Sequence, residues 1–145
     1  MKLSQEITIA RPPEEVFAFL SDPSNLPAWQ GSVSRVIPPA VIAVGSRFTE
    51  ERSQLGRTFR STLEISELEP DRLFTITVVE GPVPGMIRHE VDPDGEGARL
   101  QLDATAELNR LPRLVRSLVS KRVEAEIAGD LKRLKTLLER RKRTS

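Results

Sequence analysis

A chain of 145 residues fits one domain, long enough to bury about 70% of its unfolded surface. It has no cysteine and one histidine, so disulfides and thiolate chemistry are excluded and no second soft ligand exists to share a metal ion. At 38% hydrophobic and 30% charged it contains no apolar run near the ~20 residues of a membrane span, and the polar start MKLSQEITIA does not read as a signal peptide; a cytoplasmic protein without a cofactor is expected.

The first element is a half-buried strand, with Leu3, Ile7 and Ile9 on one face at period two and Ser4, Glu6 and Thr8 opposite. Pro12 and Pro13 then suit a helix start, and Glu14 and Glu15 fall in the first turn, where the helix dipole favours acids. Val16, Phe17, Phe19 and Leu20 give this short helix an apolar side, and a second short helical piece runs from Ser24 to Trp29.

From Val33 to Glu107 strands follow one another, punctuated by Pro38, Pro39, Gly45, Gly56, Pro70-Asp71, Gly81 to Gly85 and Asp92 to Gly97. Arg47 to Gln54 is strand-like, and the turn Leu55-Gly56 leads into a longer strand with Phe59, Leu63 and Ile65 on one face. Leu73 to Val79 has Phe74, Ile76 and Val78 in register, and Ile87 to Val91 runs into the turn Asp92-Pro93-Asp94-Gly95. The last strand sets Leu100, Leu102, Ala104 and Ala106 against Arg99, Gln101, Asp103, Thr105 and Glu107. Short turns imply an antiparallel meander, and the two alanines leave room for a helix or ligand close to the sheet.

After Pro112 the chain is helical, with Leu114, Leu118, Val119, Val123, Ile127, Leu131, Leu134 and Leu138 read as one apolar stripe. Nearly 30 residues make this helix ~45 Å long, followed by a basic tail over 139–145 that is expected to fray. Gly129 inside it marks a bend, a close approach, or a tolerated cost of ~1 kcal/mol. The net charge of +1 conceals an asymmetry: residues 110–145 carry twelve Lys or Arg against four acids, a local +8, and residues 1–109 a local −7. Such a helix either meets an anionic surface or complements its own C-terminal dipole and the acidic remainder, and the second reading is preferred. Nucleic acid is not an expected partner, because the chain lacks tyrosine and has few other aromatics to stack on bases.

The order strand, two short helices, six strands, long helix is the helix-grip arrangement, an α+β fold in which a curved seven-stranded antiparallel sheet wraps a C-terminal helix. At the residue level the chain resembles the START-like (SRPBCC) superfamily, in particular its polyketide cyclase/dehydrase and lipid transport branch. The resemblance rests on Pro12-Pro13-Glu14-Glu15-Val16-Phe17, on Asp22-Pro23-Ser24-Asn25-Leu26-Pro27-Ala28-Trp29, and on Val44-Gly45-Ser46-Arg47-Phe48. It continues in Glu67-Leu68-Glu69-Pro70-Asp71-Arg72-Leu73, in Glu90-Val91-Asp92-Pro93 and in Gly97-Ala98-Arg99-Leu100, so that it spans nearly the whole chain. It implies a pocket between sheet and helix for lipids, polyketides or other apolar molecules, in a family holding enzymes and carriers alike; the fold alone does not decide between them.

Alternation puts His89 on the face of Ile87 and Val91, toward the interior, at a place where members of the resembled branch often have an aromatic, from which this chain departs. His89 is either the candidate catalytic acid or base, or a core residue satisfied by a neighbour. Glu50 and Arg52 share the face of Phe48 and either orient a ligand's head group or pair in solvent, the solvated reading being slightly preferred. Ser61 is a small inward position. Trp29 lines one end of the pocket or anchors the helical plug, and Phe48, Phe59, Phe74, Ile76, Met86 and Leu102 complete the candidate apolar lining. The Gly81-Pro82-Val83-Pro84-Gly85 loop reads as a rim. The expected function is binding or transport of a small hydrophobic ligand, by a monomer or homodimer with at most transient membrane contact. The alternatives are a cyclase or dehydratase using His89, and an interaction or membrane-docking module using the basic helix.

Overall fold

The computed structural model describes residues 1–54 and 56–141, so Leu55 of the Leu55-Gly56 turn and residues 142–145 of the basic tail lie outside the described residues. The alternating segments form seven strands: β1 (Lys2–Ile9), β2 (Val33–Ile37), β3 (Arg47–Gln54), β4 (Arg57–Glu69), β5 (Leu73–Glu80), β6 (Gly85–Asp94) and β7 (Gly97–Ala106). They make one antiparallel sheet in the order β1-β7-β6-β5-β4-β3-β2, a meander closed by the first strand alongside the last. Register shifts between Thr62 and Leu63 and between Ile65 and Glu67 bend β4 and cup the sheet.

The expected turn at residues 92–95 is shorter than its Pro-Gly content suggests, because β6 continues through Pro93 to Asp94 and only Gly95 and Glu96 turn. Pro93 is tolerated inside this strand for a specific reason. The β5 ladder ends at the Leu73–Glu90 pair, so the proline lies in an overhang that pairs with β7 alone, and no bond is lost to its missing N–H.

Helix α1 (Pro13–Leu20) begins with proline at its first turn and buries Val16, Phe17, Phe19 and Leu20. The second helical piece divides into a 3-10 turn (Pro23–Asn25), whose preceding Asp22 accepts from Ser24 N–H, and α2 (Leu26–Trp29). These pieces plug one end of the concave face. Their Leu26 and Trp29 join the core with Leu63, Ile65, Phe74, Ile76, Leu100 and Leu102 of the sheet. Each such side chain, taken fully from water, contributes about 1.5–3 kcal/mol.

Helix α3 (Arg113–Glu139) crosses the concave face, but only its second half is held there. Leu131, Leu134 and Leu138 are fully buried, whereas Leu114 is 82% and Leu118 68% exposed. The single stripe expected from Leu114 to Leu138 is therefore two. At about 100° per residue, Leu118 lies about 140° around the axis from Leu131, so steps of three and four drift from one side of the helix to the other. The half-buried residues of the first half are instead Arg116, Val119, Ser120, Val123 and Glu126.

The second half is tied down by polar groups. Arg11, buried between β1 and α1, donates from Nε to Leu138 O (2.7 Å) and from Nη2 to Glu139 O (3.1 Å) and to Arg141 O, satisfying carbonyls that a helix C-terminus leaves open. Ala10 N–H donates to the Glu139 carboxylate (2.9 Å), and Lys135 Nζ to Thr8 O (2.5 Å). Further along, Gln5 Nε2 reaches Glu124 O (2.7 Å) and Gln54 Nε2 reaches Glu126 Oε2 (3.1 Å).

Arg11→Ala should therefore lower unfolding free energy by about 2–3 kcal/mol in urea titration, since it strips charge-assisted bonds from buried carbonyls; a loss below about half a kilocalorie would mean the helix end is held by packing alone. Gly129 serves no close approach, because a Cβ there meets nothing within 4 Å. Gly129→Ala should raise the urea midpoint, by up to ~1 kcal/mol of stability.

Candidate functional site

Three of the candidate residues meet at the plugged end of the concave face. Trp29 arrives on α2, Phe74 on β5 and His89 on β6, the last two being direct cross-strand partners. Trp29 and His89 are each 1% exposed, with ring centroids 6.3 Å apart in an edge-to-face arrangement, and His89 lies 5.6 Å from the Phe74 ring. Leu102 pairs with His89 across β6 and β7, and Ile76 is the next buried inward residue of β5.

The hydrogen bonds of this group fix its chemistry. His89 Nδ1 lies 2.9 Å from Phe74 O. A carbonyl only accepts, so Nδ1 carries the proton and Nε2 presents a bare lone pair. Burial pushes the imidazole down to about 4, against the Phe74 carbonyl that favours its charged form, so the ring is neutral near pH 7. Among the described residues Nε2 is buried with no partner, and so is the indole Nε1–H of Trp29. A free acceptor and a free donor thus belong to rings in edge contact.

A second, fully partnered polar cluster lies between β3 and α3. Glu50 is buried, and Arg52 donates to it from Nε (2.7 Å), to Ser32 Oγ from Nη1 (2.9 Å) and to Gln30 Oε1 from Nη2 (2.6 Å). The slightly preferred reading of a solvated pair gives way to an inward one: residues 48, 50 and 52 all face the interior, and the guanidinium is shared among Glu50, Ser32 and Gln30. Asp130 of α3 accepts from Gly31 N–H (3.1 Å), and burial pushes its carboxyl up despite that bond. Gln30, Ser32, Gln54, Glu126 and Asp130 are not among the sequence candidates. Gln54 is legible there, since it continues the inward alternation of Glu50 and Arg52; Asp130 shows itself only as an acid beside the apolar Leu131.

The remaining candidates divide. Phe48 is a core residue. Phe59 faces inward at the opposite end from the plug and is 36% exposed; with half-buried Leu3, Ser61, Val78 and Ile87 it leaves that part of the concave face open beneath the first half of α3. Met86 is on the other side of the sheet. It pairs with Thr77 and Thr105, whereas the inner rung is Ile76–Ile87–Ala104, so the alternation that turns His89 inward turns Met86 outward. A surface depression of about 220 Å³ at Thr8–Ala10, Asp94, Gly97, Ala98 and Lys135 includes none of the candidates. Among the described residues no group of three or more His, Cys, Asp or Glu is placed to hold a metal ion, and no helix is long and apolar enough to cross a membrane.

This architecture is shared with known proteins. A protein of Thermus thermophilus superposes with a TM-score of 0.81 at 24% identity, over 95% of this chain and 97% of that one. A START superfamily protein from Mycobacterium smegmatis does so with a TM-score of 0.72 at 17% identity, over 94% and 98%. Identities this low carry the fold and no more. An uncharacterized protein of Mycobacterium tuberculosis is 29% identical over 75 residues, which are 50% of this chain and 34% of that protein, so the match spans about a third of the relative's length. The family model for polyketide cyclase/dehydrase and lipid transport matches residues 1–139. A match along almost the whole chain, on a START-like helix-grip fold, establishes that this protein belongs to the polyketide cyclase/dehydrase and lipid transport family.

Proposed function

We propose that the protein binds and carries a small apolar molecule bearing one hydroxyl group, held between the sheet and the first half of α3. The observation that carries this reading is the pair of buried, unpartnered atoms Trp29 Nε1–H and His89 Nε2. Each left alone costs about 1–3 kcal/mol. A hydroxyl both donates and accepts, so one such group seated between the rings serves the histidine lone pair and the indole N–H together. The route is short: His89 is one inward rung, about 7 Å, from the half-buried Ile87 at the uncovered end of the sheet. Membership in a lipid-transport family and an interior of apolar side chains support the same reading. A cytoplasmic setting suits such a carrier, whose fold is held together without disulfides.

The same Nε2 invites a second reading, an enzyme of the cyclase or dehydratase type with His89 as base. An imidazole held near 4 is a weak base at neutral pH, and the charged groups nearest in kind, Glu50 and Arg52, are already partnered with each other. Binding is the better use of such a group.

Two measurements test this. Titration calorimetry should show 1-naphthol binding about tenfold more tightly than naphthalene, a difference that disappears in His89→Leu; equal affinities for the two would refute the polar anchor, and turnover of a bound compound abolished in His89→Leu would replace the carrier with the enzyme. The second is pH dependence. His89 has a folded pKa below its unfolded value, so the unfolded chain binds the extra proton first. The stability cost is absent above about 6.5, grows as pH falls, and reaches about 3 kcal/mol near pH 4. Urea titrations of the wild type between about pH 7 and 4 should show this slope in excess of that of His89→Leu; identical slopes would mean that the histidine protonates freely in the folded state.

A further inference from the structure

The first half of α3 carries an apolar surface that nothing among the described residues covers. Leu114 (82% exposed) and Leu118 (68%) stand one turn apart on the side of the helix away from the sheet, and Leu111 precedes them in the connecting loop. The β5–β6 loop lies against that connection, because Glu107 N–H donates to Pro84 O (2.9 Å), and it presents Val83, which is 41% exposed. Four apolar side chains are thus gathered at one end of the molecule, beside the uncovered part of the concave face. Buried side chains elsewhere on α3 explain the helix; these do not take part.

Charge selects the occupant. From residue 110 to 122 the chain has five cations, Arg110, Arg113, Arg116, Lys121 and Arg122, and no acid. None of the five forms an ion pair among the described residues, although arginines and lysines of the sheet and of the second half of α3 do. All but Arg116 are exposed. A second copy docked symmetrically would bring these cations against themselves, a repulsive arrangement. A bilayer with anionic headgroups accepts both features at once: leucines enter the interface while lysine and arginine meet the headgroups.

We infer that this end, made of the β5–β6 loop and the first turns of α3, is a docking surface for an anionic lipid bilayer. This surface includes neither Trp29 nor His89, so docking does not depend on the carried ligand. Docking there brings the uncovered part of the sheet to the membrane; the exchange of an apolar cargo at that point rests on the proposed function.

Sedimentation of the full chain with vesicles decides it. At low salt the protein should pellet with an equal mixture of phosphatidylcholine and phosphatidylglycerol and not with phosphatidylcholine alone, and the pelleted fraction should fade as sodium chloride is raised. Lys121→Ala with Arg122→Ala should weaken partitioning about thirtyfold, and Leu114→Ser with Leu118→Ser about tenfold or more. No pelleting at low salt, or pelleting unaffected by either pair, overturns the proposal. So does a dimer in light scattering that the leucine variant converts to monomer while vesicle binding is unchanged. The chain has no cysteine, so Leu118→Cys takes a single environment-sensitive dye. Its emission should shift blue on adding the mixed vesicles, and an unchanged spectrum is an equally direct refutation should the double variants fail to fold.

Discussion

The guanidinium of Arg11 is the point on which the architecture turns. A helix of 27 residues leaves its last carbonyls without partners within the helix, and here the Leu138 carbonyl is buried and those of residues 139 and 141 partly so. Arg11 supplies the donors from the opposite end of the chain, while Ala10, Thr8 and Gly31 add bonds along the same half-helix. One end of α3 is thereby anchored to β1 and the α1–α2 plug, and the core of Leu131, Leu134 and Leu138 packs against what the plug presents. Among the described residues the other end receives no comparable fastening before Glu124. Unequal attachment is what divides the concave face into a filled part and an uncovered part.

This division also separates two kinds of polarity. Around Arg52 every group is answered: carboxylate, amide and hydroxyl converge on one guanidinium, an arrangement that fixes β3 to its neighbours and consumes its own hydrogen-bonding capacity. Around His89 the capacity is left over. The Phe74 carbonyl sets the tautomer and burial keeps the ring neutral, so the remaining nitrogen faces the interior as an acceptor. A protein interior ordinarily pairs such atoms. The uncovered part of the concave face and the cationic, leucine-bearing first half of α3 lie at the same end of the molecule, and His89 is one inward rung from Ile87 there.

Much of this is legible in the residues. Period-two alternation locates the strands, the prolines at 12, 13 and 112 open the helices, and inward facing of residues 48 and 89 follows from the same rule; it applies to Glu50 and Arg52 as well, although their charge favours the solvated reading. Where a reading of residues alone goes astray, the reasons are identifiable. Met86 belongs with the lining by its chemistry, although its place three residues before His89, an odd separation, already turns it outward. Pro93 signals the end of a strand that in fact continues, because whether a proline costs a bond depends on how far the neighbouring strand extends. The leucines of α3 resemble one stripe, because three- and four-residue spacings look alike in a string and diverge only when wound onto a cylinder against a partner.

Local rules of backbone period and capping are enough to read off the list of elements and, for most strand positions, the side that turns inward. Which of those inward groups are satisfied and which are left over depends on contacts between distant parts of the chain. Hydrogen bonds such as those of Arg11 to residue 138, of Gly31 to Asp130 and of His89 to Phe74 join positions far apart in the chain. Burial and partnership are properties of a closed surface, and no local stretch of residues contains one.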